Sequence, residues 1–230
     1  MLIITHTYIK NQLLSEVGER IYNDPDIIRN GVEDQKVVAL TFDDGPHPRF
    51  TPKILDLLAE YDAKATFFVI GKHVKLYPKI VERIVSGGHE IGNHTFTHIN
   101  VTKSSYGKIK KEFEDTQNII FTSIGMQPKI FRPPFGSLNN NTLRIVREGG
   151  CKVILWSPNQ DPKDWDNPSA EEIAEHILKN IGNGNVILLH DYVIQKDSKT
   201  VEALRIILPE LVERGYRLIT ISELLEISGL

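Results

Sequence analysis

The 230-residue chain carries 27 Lys and Arg against 30 Asp and Glu, a formal net charge of −3, with 40% hydrophobic and 25% charged residues. That length supports one large domain with a substantial core, and near-balanced charge without a basic stripe argues against nucleic acid as a partner. No apolar run reaches the roughly 18 residues of a membrane span, and the single cysteine, Cys151, excludes an internal disulfide and a CxxC metal site.

The opening MLIITHTYIKNQLL lacks a basic n-region, a long apolar h-region and a small-residue cleavage site. On sequence alone the chain is therefore expected in the cytoplasm; an export segment missing from it would instead place it in the cell wall or outside the cell. Residues 1–36 read as an N-terminal extension packed outside a single domain of residues 37–230. From Val37 onward, apolar β-branched runs alternate with stretches of helical period. Strands are expected at Val37–Phe42, Ala65–Ile70, His89–Asn93, Lys129–Arg132, Lys152–Ser157, Val186–His190 and Tyr216–Thr220. Helices are expected at Pro52–Tyr61, Pro78–Ser86, Gly107–Ile124, Asn140–Glu148, Ser169–Ile181, Val201–Arg214 and Ile221–Ile227. Ser169, with Glu172 three residues on, has the form of a capping box. Seven strand–helix units predict an α/β fold, a parallel sheet closing like a barrel.

Chemistry in parallel α/β folds gathers at the C-terminal ends of the strands. Asp43 and Asp44 follow the first strand, His94 and His98 the third, and Arg132 ends the fourth. Asp161, Asp164 and Trp165 occupy the loop after the fifth, and His190 ends the sixth. All of these groups are predicted to meet at one rim. The i, i+4 spacing of His94 and His98 brings two imidazoles together on one turn. Two histidine nitrogens and one aspartate oxygen make a three-ligand site with open positions, which suits a catalytic metal. One divalent ion is expected, zinc first, with cobalt or nickel as other occupants. Two adjacent carboxylates then take different partners: one completes the metal site, the other handles the proton of a water.

TFDDGP, HTFTH, RPPFG, DPKDW and LLH, in this order, resemble the five motifs of the polysaccharide deacetylases, carbohydrate esterase family 4. The resemblance runs from about Val37 to Leu224. It implies a distorted (β/α) barrel, usually of seven strands, forming the deacetylase catalytic domain. It also implies Asp43 as general base and Asp44, His94 and His98 as metal ligands, with Thr95 steadying the histidine loop. Arg132 is implied to pair with Asp43, and Asp164 to hydrogen-bond His190, the general acid. The resemblance further implies that Leu188 and Trp165 border the acetyl methyl and that the Phe135 backbone N–H meets the oxyanion; together with Thr95 these would make the substrate side of the site. Phe135 departs from the family pattern, which often has Tyr there. The implied reaction is removal of N-acetyl groups from N-acetylglucosamine residues of chitin oligomers or peptidoglycan. The alternatives are an O-acetyl esterase on xylan-like chains and a non-catalytic carbohydrate-binding relative.

The remaining candidates have plainer readings. Cys151 reads as a buried apolar residue. His6, His47, His73, His89 and His176 read as structural or exposed, Trp156 as core, and Asp161 as a loop hydrogen-bonding residue.

Overall fold

The longest strand, Val37–Asp43, is buried at every position, as a strand covered on both faces must be. The computed structural model describes residues 24–193 and 197–230. Its strands are β1 (Ile27–Ile28), β2 (Val37–Asp43), β3 (Ala65–Val69), β4 (Glu90–Asn93), β5 (Ile130–Phe131), β6 (Lys152–Ile154), β7 (Val186–His190) and β8 (Arg217–Leu218). Its helices are α1 (Phe50–Glu60), α2 (Gly71–Leu76), α3 (Pro78–Ser86), α4 (Tyr106–Ile124), α5 (Asn140–Glu148), α6 (Ala170–Asn180), α7 (Lys199–Glu213) and α8 (Ile221–Ser228). None of these helices is long and apolar enough to cross a membrane.

The sheet runs β1-β6-β5-β4-β3-β2-β7 and every ladder in it is parallel. Curled around, with helices outside, it is a distorted (β/α)7 barrel. The seventh stave is not the strand expected from sequence. β8 pairs only with the start of β2, Val37↔Arg217 and Val38↔Leu218, before the β3 ladder begins at Leu40↔Ala65. The ring is completed instead by β1, which lies parallel on β6. Between β1 and β7 the gap is spanned by an antiparallel bridge, Asn30↔Asn185. Ile27 and Ile28 thus belong to the sheet, although the sequence places them in the extension; residues 1–23 of that extension lie outside the described residues.

Period-two alternation decides what each β2 residue does. Val38, Leu40 and Phe42 pack outward against α1, α6 and α7, whereas Val37 and Ala39 join Phe68, Ile130, Ile154 and Val186 in a separate interior cluster. Ile221 and Leu224 of α8 belong to that interior cluster. Thr41 and Asp43 continue the inward row toward the C-terminal rim. The apolar fill therefore stops about halfway up, and polar groups replace it. β6 ends at Ile154 rather than Ser157: Leu155 N–H still donates to Ile28 O on β1, but its carbonyl and the residues beyond turn to other partners. Leu155 O accepts a hydrogen bond from Arg132, and Ser157 N–H turns to Val186 O on β7.

The capping box at α6 forms as expected, with Ser169 accepting from Glu172 N–H and Glu172 from Ser169 N–H. At α1 the cap is unusual: His47 Nδ1 accepts from the N–H groups of Arg49 and Phe50. His47 and His89, which accepts from Ala65 N–H, have the structural roles expected of them.

Candidate active site

β2 and β7 bring the two aspartates to the rim. Asp43 lies opposite His190 in the parallel register, and Asp44 follows in the left-handed region at φ 75°. Gly45 comes next because nothing larger fits: a Cβ there would stand 2.1 Å from Asp191 Oδ2. Asp191 is itself buried, accepting from Thr51 Oγ1 at 2.5 Å. Burial, reinforced by Asp44 and Asp43, pushes its carboxyl up to about 7 despite the Thr51 hydrogen bond.

Arg132 is fully buried, lying across the Phe68 ring at 4.1 Å. Its guanidinium donates to Asp43 Oδ1 at 2.8 Å, Thr41 Oγ1 at 2.7 Å, and the carbonyls of Ile154 and Leu155 at 3.1 Å each. Burial lowers its pKa, against the pull of Asp43. A buried cation with one anion and three neutral acceptors fixes Asp43 in a single orientation. Asp43 Oδ2 remains on the cavity side, 3.8 Å from His94 Nε2.

Asp44, His94 and His98 converge, their ligand atoms all within 4.8 Å of one another. Asp44 Oδ1 stands 3.5 Å from His94 Nε2 and 3.3 Å from His98 Nε2. It is buried and has no hydrogen-bond partner. A buried carboxylate oxygen without a donor is costly unless a cation serves it. His94 Nδ1 donates to Arg132 O at 2.7 Å, which leaves the Nε2 lone pair aimed at that oxygen. This donor set fits a divalent ion. Burial opposes charge on Asp44, but His94, His190 and His98 outweigh it and hold its carboxyl well below the usual range. Burial likewise opposes charge on His94, yet Asp43 and Asp44 prevail and raise its pKa, whereas at His98 burial wins and lowers it.

The two histidines do not share a helical turn, contrary to what their spacing suggests. Residues 94–98 form a loop with Thr95 at φ 65° and His98 at φ 58°, and the ring centroids end 5.1 Å apart. Non-glycine residues in that region cost of order 1 kcal/mol each and persist only where the surroundings hold them. Thr95 is fully buried and is not among the residues lining the cavity. It shapes the loop, its N–H donating to Asn93 Oδ1 at 2.9 Å.

His190 is held by Asp164 twice: its Nδ1 lies 2.7 Å from Oδ1, and its backbone N–H donates to Oδ2 at 2.8 Å. Thr200 Oγ1 donates to the same Oδ2 at 2.7 Å. Burial would lower the imidazole pKa, but Asp164, with Asp43 and Asp44 behind it, raises it to about 9. Asp164 thus favours the protonated imidazole, with Nε2 left for the cavity.

Asp43, Asp44, His94, His98 and His190 line one cavity of ≈ 540 Å³ together with Phe135, Gly136, Trp156, Asp161, Trp165 and Leu188; Arg132 and Asp164 stand behind them. Phe135 and Trp165 expose 63% and 51% of their surface, so two aromatic faces flank the opening. The Phe135 ring meets His98 edge-on at 4.7 Å, in a tight turn where Phe135 has φ 62°. Gly136 admits Trp156 beside that turn; a Cβ would stand 2.6 Å from the indole. Trp156 is thus half-buried wall as well as core, a role that a lone Trp on a strand does not announce. Asp161 also lines the cavity while accepting from Lys163 N–H within its loop. Sequence reasoning missed Asp191 and Thr200 as supports; His73 of α2 has the structural role expected of it, its Nδ1 lying 2.7 Å from Asp44 O. The thiol of Cys151 is far from this chemistry in kind, buried and pushed up to about 11.

Residues 30–154 match the family model described as polysaccharide deacetylase. A peptidoglycan-N-acetylglucosamine deacetylase of Bacillus cereus is 46% identical over 83% of this chain and 89% of its own length. Among solved structures, the Bc1960 peptidoglycan N-acetylglucosamine deacetylase superposes with a TM-score of 0.83 at 37% identity, covering 86% of this chain and 92% of that one. A family 4 acetyl xylan esterase from Clostridium thermocellum, solved with a cobalt ion, gives 0.78 at 37% identity, over 85% and 93% of the two chains. With the fold, the five motifs and the rim arrangement in agreement, the chain belongs to the polysaccharide deacetylase family.

Proposed function

We propose that the protein is a metal-dependent N-deacetylase that hydrolyses the acetamide of N-acetylglucosamine residues in a glycan, peptidoglycan or chitin oligomers, releasing acetate. The observation that carries this is the meeting, in one cavity, of three separately supported units: Asp43 on Arg132, Asp44 with His94 and His98, and His190 on Asp164. A divalent ion held by Asp44, His94 and His98, zinc in our reading, supplies Lewis acidity and makes water a usable nucleophile near neutral pH.

The chain's own residues supply the rest. Asp43 takes the proton of the attacking water as oxygen adds to the acetamide carbon. Arg132 keeps that carboxylate oriented and leaves Oδ2 free to accept. The Phe135 backbone N–H stabilises the developing oxyanion, a contribution that reaches about 3 kcal/mol per donor in such sites. Leu188 and Trp165 border the acetyl methyl, and the exposed Trp165 and Phe135 faces receive the sugar. His190 passes its Nε2 proton to the nitrogen as the carbon–nitrogen bond breaks, giving the free amine and acetate. An amine leaves far less readily than an alcohol without that proton. His190, held by Asp164 with Nε2 toward the cavity, is placed to supply that proton, and this supports the amide reading over the ester one.

Acetate release from N-acetylglucosamine oligomers, peptidoglycan and acetylxylan, measured side by side, tests the proposal. The two amide substrates are expected to exceed acetylxylan in kcat/KM. Preference for acetylxylan would make the protein an O-acetyl esterase, and no release from any of the three would make it a binding protein on this fold.

A further inference from the structure

The loop that carries His94 and His98 is not helical, so no helix hydrogen bonds set the distance between the two imidazoles. Something else must. On one side, Thr95 N–H donates to Asn93 Oδ1, and the start of α2 reaches in through Gly71 N–H to Thr95 O and Lys72 N–H to Phe96 O, both at 3.0 Å. That leaves the N–H groups of Phe96 and Thr97, midway between the histidines. Both donate to a single oxygen, Glu112 Oε2, at 2.9 and 2.7 Å. The other oxygen, Oε1, accepts from Thr97 Oγ1 at 2.7 Å.

Glu112 stands on the inner face of α4 and is buried. Its helix is anchored to the barrel beside it: Asn93 Nδ2 donates to Phe113 O at 3.0 Å and to Gln117 Oε1 at 3.1 Å. The carboxylate thus joins a rigid helix to the strained part of the loop. Hydrogen bonds to an ionised acceptor are roughly twice as strong as neutral ones, and three of them offset the cost of two left-handed residues at Thr95 and His98.

We propose that Glu112 is a positioning residue for the metal, setting the spacing of His94 and His98 through the Phe96–Thr97 backbone without touching the ion. This rests on the reading of Asp44, His94 and His98 as its ligands. Groups that orient metal ligands typically change metal affinity by about 10–100-fold when removed.

The test is zinc affinity, measured by competition with a chromophoric chelator on the full chain, alongside Tm of the metal-free protein. Glu112→Leu is expected to weaken zinc binding about 10–100-fold. Glu112→Gln is expected to recover most of that loss, since its amide oxygen accepts both N–H groups and its NH2 can donate to Thr97 Oγ1. Glu90→Leu is the matched control. Glu90 is another largely buried carboxylate that accepts from Thr66 Oγ1, Ser222 N–H and Ser222 Oγ, but it lies at the N-terminal end of β4, away from the rim. It should lower Tm and leave zinc affinity unchanged. Thr97→Val, at an exposed position, removes one of the three hydrogen bonds without threatening the fold and should weaken zinc about threefold. Unchanged zinc affinity in Glu112→Leu, or in Thr97→Val if the first variant does not fold, overturns the inference, as does equal weakening in Glu90→Leu. A wild-type protein that binds no zinc overturns the metal reading itself, and this inference with it.

Discussion

Asp43→Asn is expected to keep its metal and lose about 10²–10⁴-fold in turnover, the usual worth of a positioned general base. Asp44→Asn is expected to lose metal affinity first and activity as a consequence. The two residues are adjacent and chemically identical, so only their surroundings separate them. Asp43 has its Oδ1 on a fully buried guanidinium, 2.8 Å away. Asp44 has its Oδ1 between two imidazole nitrogens, with no hydrogen donor of its own. The Asn at 43 leaves Arg132 as a buried cation without its anion, which typically costs about 3–5 kcal/mol. Asp43→Asn should therefore also lower Tm, more than Asp44→Asn does. Metal content by elemental analysis, turnover at saturating metal and Tm together distinguish the two. Equal metal content and equal residual rates would show that the carboxylates share one role.

His190→Ala is expected to reduce deacetylation of N-acetylglucosamine oligomers by about 10²-fold or more while sparing most of the hydrolysis of an activated aryl acetate. A phenolate leaves without a proton; an amine does not. Asp164→Asn should act through the pKa of His190. Removing the carboxylate takes away the main influence that raises the imidazole against burial to about 9. The alkaline limb of the pH–rate profile should then move to lower pH. The same pairing carries a stability signature. Because the folded-state value lies above the free imidazole's 6.5, the stabilisation is complete below about 6.5 and is lost as pH climbs through about 9. Wild type and Asp164→Asn should therefore differ most in Tm at pH 6, and the difference should narrow above pH 9, leaving whatever the Oδ2 hydrogen bonds from His190 N–H and Thr200 contribute. Equal losses on amide and aryl ester would make His190 a positioning group rather than the acid.

The rim was legible because most reactive residues lie at or just after a strand end, and parallel topology sends all strand ends the same way; Asp164 and Trp165, well beyond the end of β6, were reached through the motif rather than through strand position. β2, β3 and β7 have enough apolar residues in a row to declare themselves, and so place Asp43, Asp44 and His190; β4, Glu90–Asn93, has only Ile91, and its place in the strand–helix rhythm is what puts His94 and His98 at the rim. β1 does not: Ile27 and Ile28 are a two-residue strand among polar neighbours, and only pairing on β6 reveals them. β8 misled for the opposite reason, since its apolar pattern serves the floor of the barrel rather than its wall. α2 is six residues long, starts at Gly71 and has no side-chain cap, too short for a periodic signal. It nevertheless brings His73 to Asp44 O and the backbone donors to the histidine loop. The structure does bring His94 and His98 together, 5.1 Å between ring centroids, but on a loop rather than on the helical turn their i, i+4 spacing suggests. The supporting residues, Glu112, Asp191 and Thr200, act across 15 to 140 positions of sequence, and no local pattern marks such partnerships.

The most direct test of the whole account is a zinc titration of metal-depleted protein, following acetate release from an N-acetylglucosamine oligomer. The account predicts almost no acetate without metal and a linear rise that breaks at one ion per chain. Substituting any of Asp44, His94 or His98 should weaken binding and displace that break toward excess metal. Full acetate release from protein shown by elemental analysis to be free of metal would contradict it.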